Sequence, residues 1–264
     1  MAPKDVSKGK WSVDVEVTGQ CGGAAVHWHV PEEAPVALVY GGINHVVMLA
    51  SPADLQDFAL GFTVTEGIAR SPEDIRKIEV VEKDRGIDLL VTLDDTALER
   101  FKLKQGRRAM TGRTGCGLCG IDSMEQLFQK VRPVAIAPVQ LDPQVAGKAV
   151  DDFCARQPMK ELNKSVHGAA WVTGAGDITA VREDVGRHNA LDKLIGALLK
   201  EDADLKAGFV LISSRASYEM VQKCVAVGVP ALVCLSAPTA FAIRMAHEAN
   251  LTLANWSRDG LVTF

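Results

Sequence analysis

The feature that most constrains the fold is a series of short, nearly uninterrupted apolar runs in the second half of the chain. They are Ala169-Ala170-Trp171-Val172, Phe209-Val210-Leu211-Ile212, Ala231-Leu232-Val233-Cys234-Leu235 and Leu251-Thr252-Leu253-Ala254. A strand with one wet face alternates apolar and polar residues. A strand apolar throughout is covered on both faces. Between these runs, His188 to Leu199, Tyr218 to Val227 and Phe241 to Ala249 repeat apolar residues at helical intervals, as in Leu191, Leu194, Ile195 and Leu198. Residues 143 to 156 predict a further helix. Ile178-Thr179-Ala180-Val181 is expected to pair with Ala169 to Val172 around the turn Gly174-Ala175-Gly176-Asp177, and Leu261 to Phe264 to form an edge strand. Alternating strands and helices predict an α/β sheet with helices on both faces.

The first hundred residues read differently. Pro35 to Tyr40 and His45 to Ala50 are β-type runs about the hairpin turn Gly41-Gly42-Ile43-Asn44. Ser51-Pro52 predicts a helix start, with Ser as N-cap and Pro in the first turn, before Leu55, Phe58, Ala59 and Phe62. Ser71-Pro72 opens a shorter helix. Ile78 to Val81 and Ile87 to Val91 form a second strand pair about Asp84-Arg85-Gly86. Residues 1 to 24 are polar and Gly-rich in places and are expected to fray at the start. The domains predicted are a small α+β unit over 1–108, a basic Gly-rich loop over 109–122, and an α/β domain over 123–264.

Composition excludes several classes. A chain of 264 residues, 47% hydrophobic, can bury a full core. A net charge of −4 gives no sign of a nucleic-acid coat, and no apolar run approaches a membrane span or a signal-peptide core. Six cysteines at this length do not make a disulfide framework. The expected compartment is the reducing cytoplasm. Cys224 and Cys234 stand in apolar surroundings and read as small core residues.

Cys116 and Cys119 alone are paired by spacing, within Thr114-Gly115-Cys116-Gly117-Leu118-Cys119-Gly120. Residues 101 to 120 hold Lys102, Lys104, Arg107, Arg108 and Arg113 with no acid, and their glycines predict a flexible basic connector. Three uses compete. A zinc half-site needs a second ligand pair at finger spacing, which the chain lacks. A thioredoxin-like dithiol belongs between a strand and a helix, whereas these flanks are Gly-rich. A nucleophilic or sulfur-carrying cysteine on a mobile arm suits the positive charge and the helix expected from Asp122-Ser123, both of which favour thiolate.

Three turns follow consecutive strands. Glu183 to Lys193 crowds charged groups at a helix start. Helix capping accounts for Glu183 and Asp184 but not for Arg187 and His188, whose charge opposes the dipole there. Ser213 to Glu219 offers Ser214, Ser217 and helix-start amides to a phosphate, with Arg215 as counter-charge. Ser236-Ala237-Pro238-Thr239 has ordinary capping chemistry. Parallel strands would place all three on one edge of the sheet, where α/β folds bind ligands. Trp256-Ser257-Arg258-Asp259-Gly260-Leu261 adds a ring that can stack on a base and a cation for phosphate. His167, before the first strand of this half, reads as a structural hydrogen-bonder.

Gly112 to Gly120, Glu183 to Lys193 and Ser213 to Lys223, with early segments Pro35 to Tyr40 and Phe58 to Gly67, closely resemble the formate dehydrogenase accessory sulfurtransferase family, FdhD. The resemblance covers roughly residues 32 to 264. It implies a sulfurtransferase that takes persulfide sulfur from a cysteine desulfurase. The recipient is the molybdenum or tungsten bis(molybdopterin guanine dinucleotide) cofactor, a bound substrate that then enters the formate dehydrogenase catalytic subunit. It implies Cys116 as carrier, Cys119 as helper, and cofactor contacts from Trp256 to Leu261. Where the family more often has Gly-Phe, this chain has Asn255-Trp256. The later half is expected to be cytidine deaminase-like, in three layers. Zinc is not expected: deaminase ligands fall at two helix starts, and these carry Arg187-His188-Asn189 and Ser214-Arg215-Ala216-Ser217. A homodimer is the expected assembly. The rivals are a cofactor-binding chaperone and a thiol–disulfide redox module.

Overall fold

The computed structural model describes residues 11–108, 134 and 139–264. It opens on a two-stranded antiparallel ribbon, β1 (Asp14–Cys21) and β2 (Ala24–Pro31), where the sequence reads as a polar, Gly-rich stretch with no strand. The turn explains it. Gly22 and Gly23 have φ of 57° and 86°, which a two-residue hairpin turn requires; Val15 and Val17 alternate with Asp14, Glu16 and Thr18, and Val26 and Trp28 with His27 and His29.

β3 (Ala34–Tyr40) and β4 (Ile43–Ala50) form the expected hairpin about Gly41-Gly42. Then come α1 (Leu55–Thr65), a 3-10 turn at Pro72–Asp74, β5 (Ile75–Lys83), β6 (Gly86–Leu93) and α2 (Asp95–Arg108). The sheet order is β4-β3-β6-β5, with β3 and β6 parallel. Tyr40, Phe58, Phe62, Leu89 and Phe101 fill its core. Two expectations are corrected. Helix α1 begins at Leu55, after a left-handed Asp54, and not at Ser51-Pro52. Ser51 is buried and bonded instead to the second half of the chain. The stretch from Phe101 to Arg108 is helical and not connector. Asp94 accepts from Ala97 N–H at the helix start, and Phe101 anchors the helix in the core.

The second sheet has the order β12-β11-β10-β9-β7-β8. Its elements are α3 (Pro143–Cys154), α4 (Pro158–Asn163), β7 (His167–Thr173), β8 (Ile178–Asp184), α5 (Arg187–Lys200), β9 (Gly208–Arg215), α6 (Tyr218–Ala226), β10 (Ala231–Ser236), α7 (Ala240–Glu248), β11 (Thr252–Ser257) and β12 (Gly260–Thr263). β9, β10 and β11 are parallel. β7 runs against both β8 and β9, so β8 shares the direction of β9. One face packs on α5, α6 and α7 and the other on α3, giving three layers of mixed α/β structure.

The two cores meet where α1 crosses α5. Gly61 and Gly196 let the backbones touch: a Cβ on Gly61 would stand 1.8 Å from the Asp192 carbonyl oxygen. Buried charge flanks the crossing. Lys193 Nζ lies 2.6 Å from Asp184 and donates to Ser51 O. Lys223 Nζ lies 2.9 Å from both Asp192 and Glu66, and the Thr65 hydroxyl donates to Asp192. Arg182 pairs with Asp57 of α1 at 2.7 Å.

Candidate functional site

Because β8, β9, β10 and β11 point the same way, the turns that follow them emerge on one edge of the sheet. The Glu183 to Lys193 segment divides there into two jobs. Glu183 accepts from the Met159 and Lys160 N–H groups and so caps α4. Asp184 accepts from the Ser51 and Gly186 N–H groups and from Asn189. Asp192 and Lys193 belong to the seam between the cores. The carboxylates and the lysine are therefore architectural. Arg187 and His188, on the first turn of α5, are left for the edge.

Arg187 and Arg215 line an open pocket of ≈ 300 Å³ with Ser217, Tyr218, Glu219, Thr239 and Phe241. Its walls are the starts of α5, α6 and α7. The Tyr218 and Phe241 rings stack at 5.2 Å, 25° apart. Neither arginine makes an ion pair with a described residue, and Arg187 Nε is buried without an acceptor among them. Two guanidiniums beside helix N-termini, unpaired among the described residues, suit an anion such as phosphate. Glu219 accepts from the Ser217 hydroxyl at 2.7 Å. His188 Nε2 lies 3.9 Å from the Glu219 carboxylate and has no hydrogen-bond partner among the described residues. Burial first, then the Arg187 and Lys223 cations, pull the His188 pKa down to about 4, so the imidazole is neutral at neutral pH. His167 is shifted down too, by burial and then by Arg187. That places it near the same edge, although the sequence suggested only a structural role.

Of the residues singled out from sequence, the structure brings Arg187, Arg215 and Ser217 together around one pocket, with His188 beside Glu219. Ser214 is buried, with its hydroxyl on Arg215 O. Trp256 to Leu261 is no loop. Trp256 pairs with Leu261 and Ser257 with Gly260 in a tight β11–β12 hairpin, whose Gly260 has φ of 107°. The Trp256 ring packs on Gly147 of α3, across the sheet from α5 to α7. Arg258 and Asp259 are exposed at the turn. Cys116 and Cys119, and the helix expected after them, lie outside the described residues. Thr239 belongs to the Ser236 to Thr239 turn expected on this edge; Tyr218, Glu219 and Phe241 were not singled out as ligand contacts. Their position just past two strand ends is the signal that would have found them. Cys224 and Cys234 are buried, as small core residues should be. Among the described residues, no cluster of His, Cys, Asp and Glu is arranged to hold a metal, and no helix is long and apolar enough to cross a membrane.

The model of the FdhD/NarQ family matches residues 31–263. A sulfur carrier protein FdhD from Bordetella petrii is 48% identical over 242 residues, 91% of this chain and 86% of the relative. One from Cupriavidus necator is 48% identical over 231 residues, 88% of this chain and 79% of the relative. A crystal structure described as a formate dehydrogenase accessory protein, from Desulfotalea psychrophila, superposes with a TM-score of 0.72 at 23% identity, covering 96% of both chains.

Proposed function

The chain belongs to the FdhD/NarQ family, and from that premise we propose that it is a sulfurtransferase serving formate dehydrogenase. On this reading it takes persulfide sulfur from a cysteine desulfurase and passes it to a molybdenum or tungsten bis(molybdopterin guanine dinucleotide), its bound substrate. Relatives about half identical over most of the chain carry the name sulfur carrier protein. The structural observation that supports the reading is the edge pocket, where Arg187 and Arg215 both lack a counter-ion among the described residues. A dinucleotide ligand brings phosphates to such a place.

Cys116 is the carrier in this scheme. Its thiolate attacks the outer sulfur of the desulfurase persulfide. The S–S bond breaks, the donor leaves as thiolate, and Cys116 keeps the sulfane sulfur. Arg113 and the other cations before it in sequence favour the thiolate. Cys119 is the helper thiol. Arg187, Arg215 and the N–H groups at the start of α6 hold the phosphates. The six-stranded unit is read as a cytidine deaminase-like scaffold in which Arg187 to Asn189 and Ser214 to Ser217 stand where zinc ligands would. A cytoplasmic homodimer acting on the dehydrogenase catalytic subunit completes the proposal.

The test is a complementation assay in cells lacking their own accessory protein. Wild type should restore formate dehydrogenase activity and Cys116→Ala should not. Full activity with Cys116→Ala would leave a chaperone that binds and delivers without carrying sulfur. A defect in Cys119→Ala equal to that of Cys116→Ala, with no persulfide formed, would favour a redox module.

A further inference from the structure

We infer that Lys223, which lies outside the edge pocket, is a positioning residue: it sets the spacing of Arg187 and Arg215 so that both grip one ligand carrying two phosphates. The assignment rests on the nucleotide-binding reading given above. The two arginines stand on different elements. Arg187 opens α5, and Arg215 ends β9 just before α6 starts at Tyr218. Two guanidiniums facing one pocket repel each other, which pushes those elements apart. Something below the pocket has to hold them.

Helices α5 and α6 carry two rungs, one turn apart. His188 of α5 faces Glu219 of α6 at 3.9 Å, with both side chains 24% exposed. Four residues further along each helix, and so on the same faces, Asp192 meets Lys223 at 2.9 Å, with side chains 1% and 6% exposed. The upper rung is too long for a hydrogen bond, so the lower one does the holding. It is also tied to the first core. The Thr65 hydroxyl donates to Asp192 at 2.7 Å. Lys223 Nζ donates to Thr65 Oγ1 at 3.1 Å and to Glu66 at 2.9 Å, and lies over the Phe62 ring, 5.3 Å from its centre. Helices α1, α5 and α6 therefore meet at one ammonium group. Packing alone does not explain a lysine here. Apolar residues of the same volume often stabilise as well as a buried ion pair, whose best-attested use is to fix register. An ammonium has three donors, and placing all of them leaves the helices one relative position. The arginines one turn above inherit it.

The experiment is titration calorimetry of the full chain with pyrophosphate and with inorganic phosphate. It compares wild type, Lys223→Met and the pair Lys223→Met/Asp192→Asn, which removes the rung without stranding the Asp192 charge. Circular dichroism fixes a temperature at which each is folded. The readout is the ratio of the two affinities, because loss of folded protein lowers both alike. Wild type should prefer pyrophosphate by about tenfold or more, since capture of the second phosphate is intramolecular. The variants should bring that preference to about threefold or less while still binding each anion. Arg182→Met breaks the seam pair with Asp57 but leaves the rung, and should keep the wild-type ratio. A wild-type ratio in either folded rung variant overturns the assignment. So does an equal fall in Arg182→Met, which would make the effect general loosening. Wild type binding the two anions alike overturns it too and leaves the sulfur-carrier reading intact. No anion bound by wild type, with persulfide still forming on Cys116, overturns this assignment together with the nucleotide part of the proposed function.

Discussion

Replacing Gly61 by Ala tests whether the α1–α5 crossing holds the two cores in register. The new Cβ would stand 1.8 Å from Asp192 O, 2.7 Å from Asp192 C and 2.9 Å from Gly196 N. All three are backbone atoms, so no side chain can turn aside. Reaching even the tightest ordinary contact requires the helices to part by about 1.2 Å. That movement pulls the Thr65 hydroxyl away from Asp192, now 2.7 Å apart, and loosens the bonds between Lys223 and Asp192 and Glu66. Overpacking plus weakened buried polar bonds should cost on the order of 3–4 kcal/mol. For a chain of this size that is a fall in melting temperature of roughly 10 °C, read by far-UV circular dichroism with a urea titration beside it. Gly196→Ala should behave alike, since its Cβ would stand 1.9 Å from Asp57 O. Gly228→Ala is the control. Unlike Gly61 it has positive φ, but open space surrounds it, so only about 1–2 kcal/mol of left-handed strain is expected. A Gly61→Ala protein melting within about 2 °C of wild type would refute the claim that this crossing is a backbone contact.

Lys223→Met should destabilise by about 3–5 kcal/mol, because it leaves Asp192 buried beside Glu66 without its counter-charge. Adding Asp192→Asn should recover part of that loss, and a double-mutant cycle in urea measures the coupling. The second expectation concerns pH. The His188 pKa is about 4 in the folded chain against an ordinary 6.5, so the unfolded chain binds the extra proton between those limits. Stability from this group is therefore full above pH 6.5 and falls as pH drops towards 4, by on the order of 3 kcal/mol in all. His188→Gln should flatten that slope. An unchanged slope in thermal melts from pH 7 to 4.5 would place the titration on another group.

Much of the fold was legible because the relevant forces are local. Apolar strands covered on both faces announce themselves as unbroken runs, and β9, β10 and β11 stand where those runs fall. The ribbon went unseen because its polar, Gly-rich composition looks like a tail unless Gly22-Gly23 is read as a hairpin turn. Ser51-Pro52 has the right chemistry for a helix start. It failed because Asp184 and Lys193, more than 130 residues away in sequence, take the Ser51 backbone groups. The site divided along the same line. Arg187 and Arg215 were legible as charges with no local reason to be where they are. The roles of Asp184, Asp192 and Lys193 were hidden, since capping residues and members of a buried seam look alike until the other core is packed against them. Trp256 is legible as a ring able to stack, and only the tertiary contact with Gly147 shows that part of that ring rests on α3.

The central claim is that Cys116 carries sulfur. The direct measurement is intact-protein and peptide mass spectrometry after incubation with a cysteine desulfurase and cysteine, under conditions that preserve persulfides. The account predicts a gain of one sulfur atom on the peptide containing Cys116, absent from Cys116→Ala, retained in Cys119→Ala and lost on adding a thiol reductant. An unmodified Cys116 peptide under turnover by an active desulfurase, or sulfur found only on another cysteine, would contradict it.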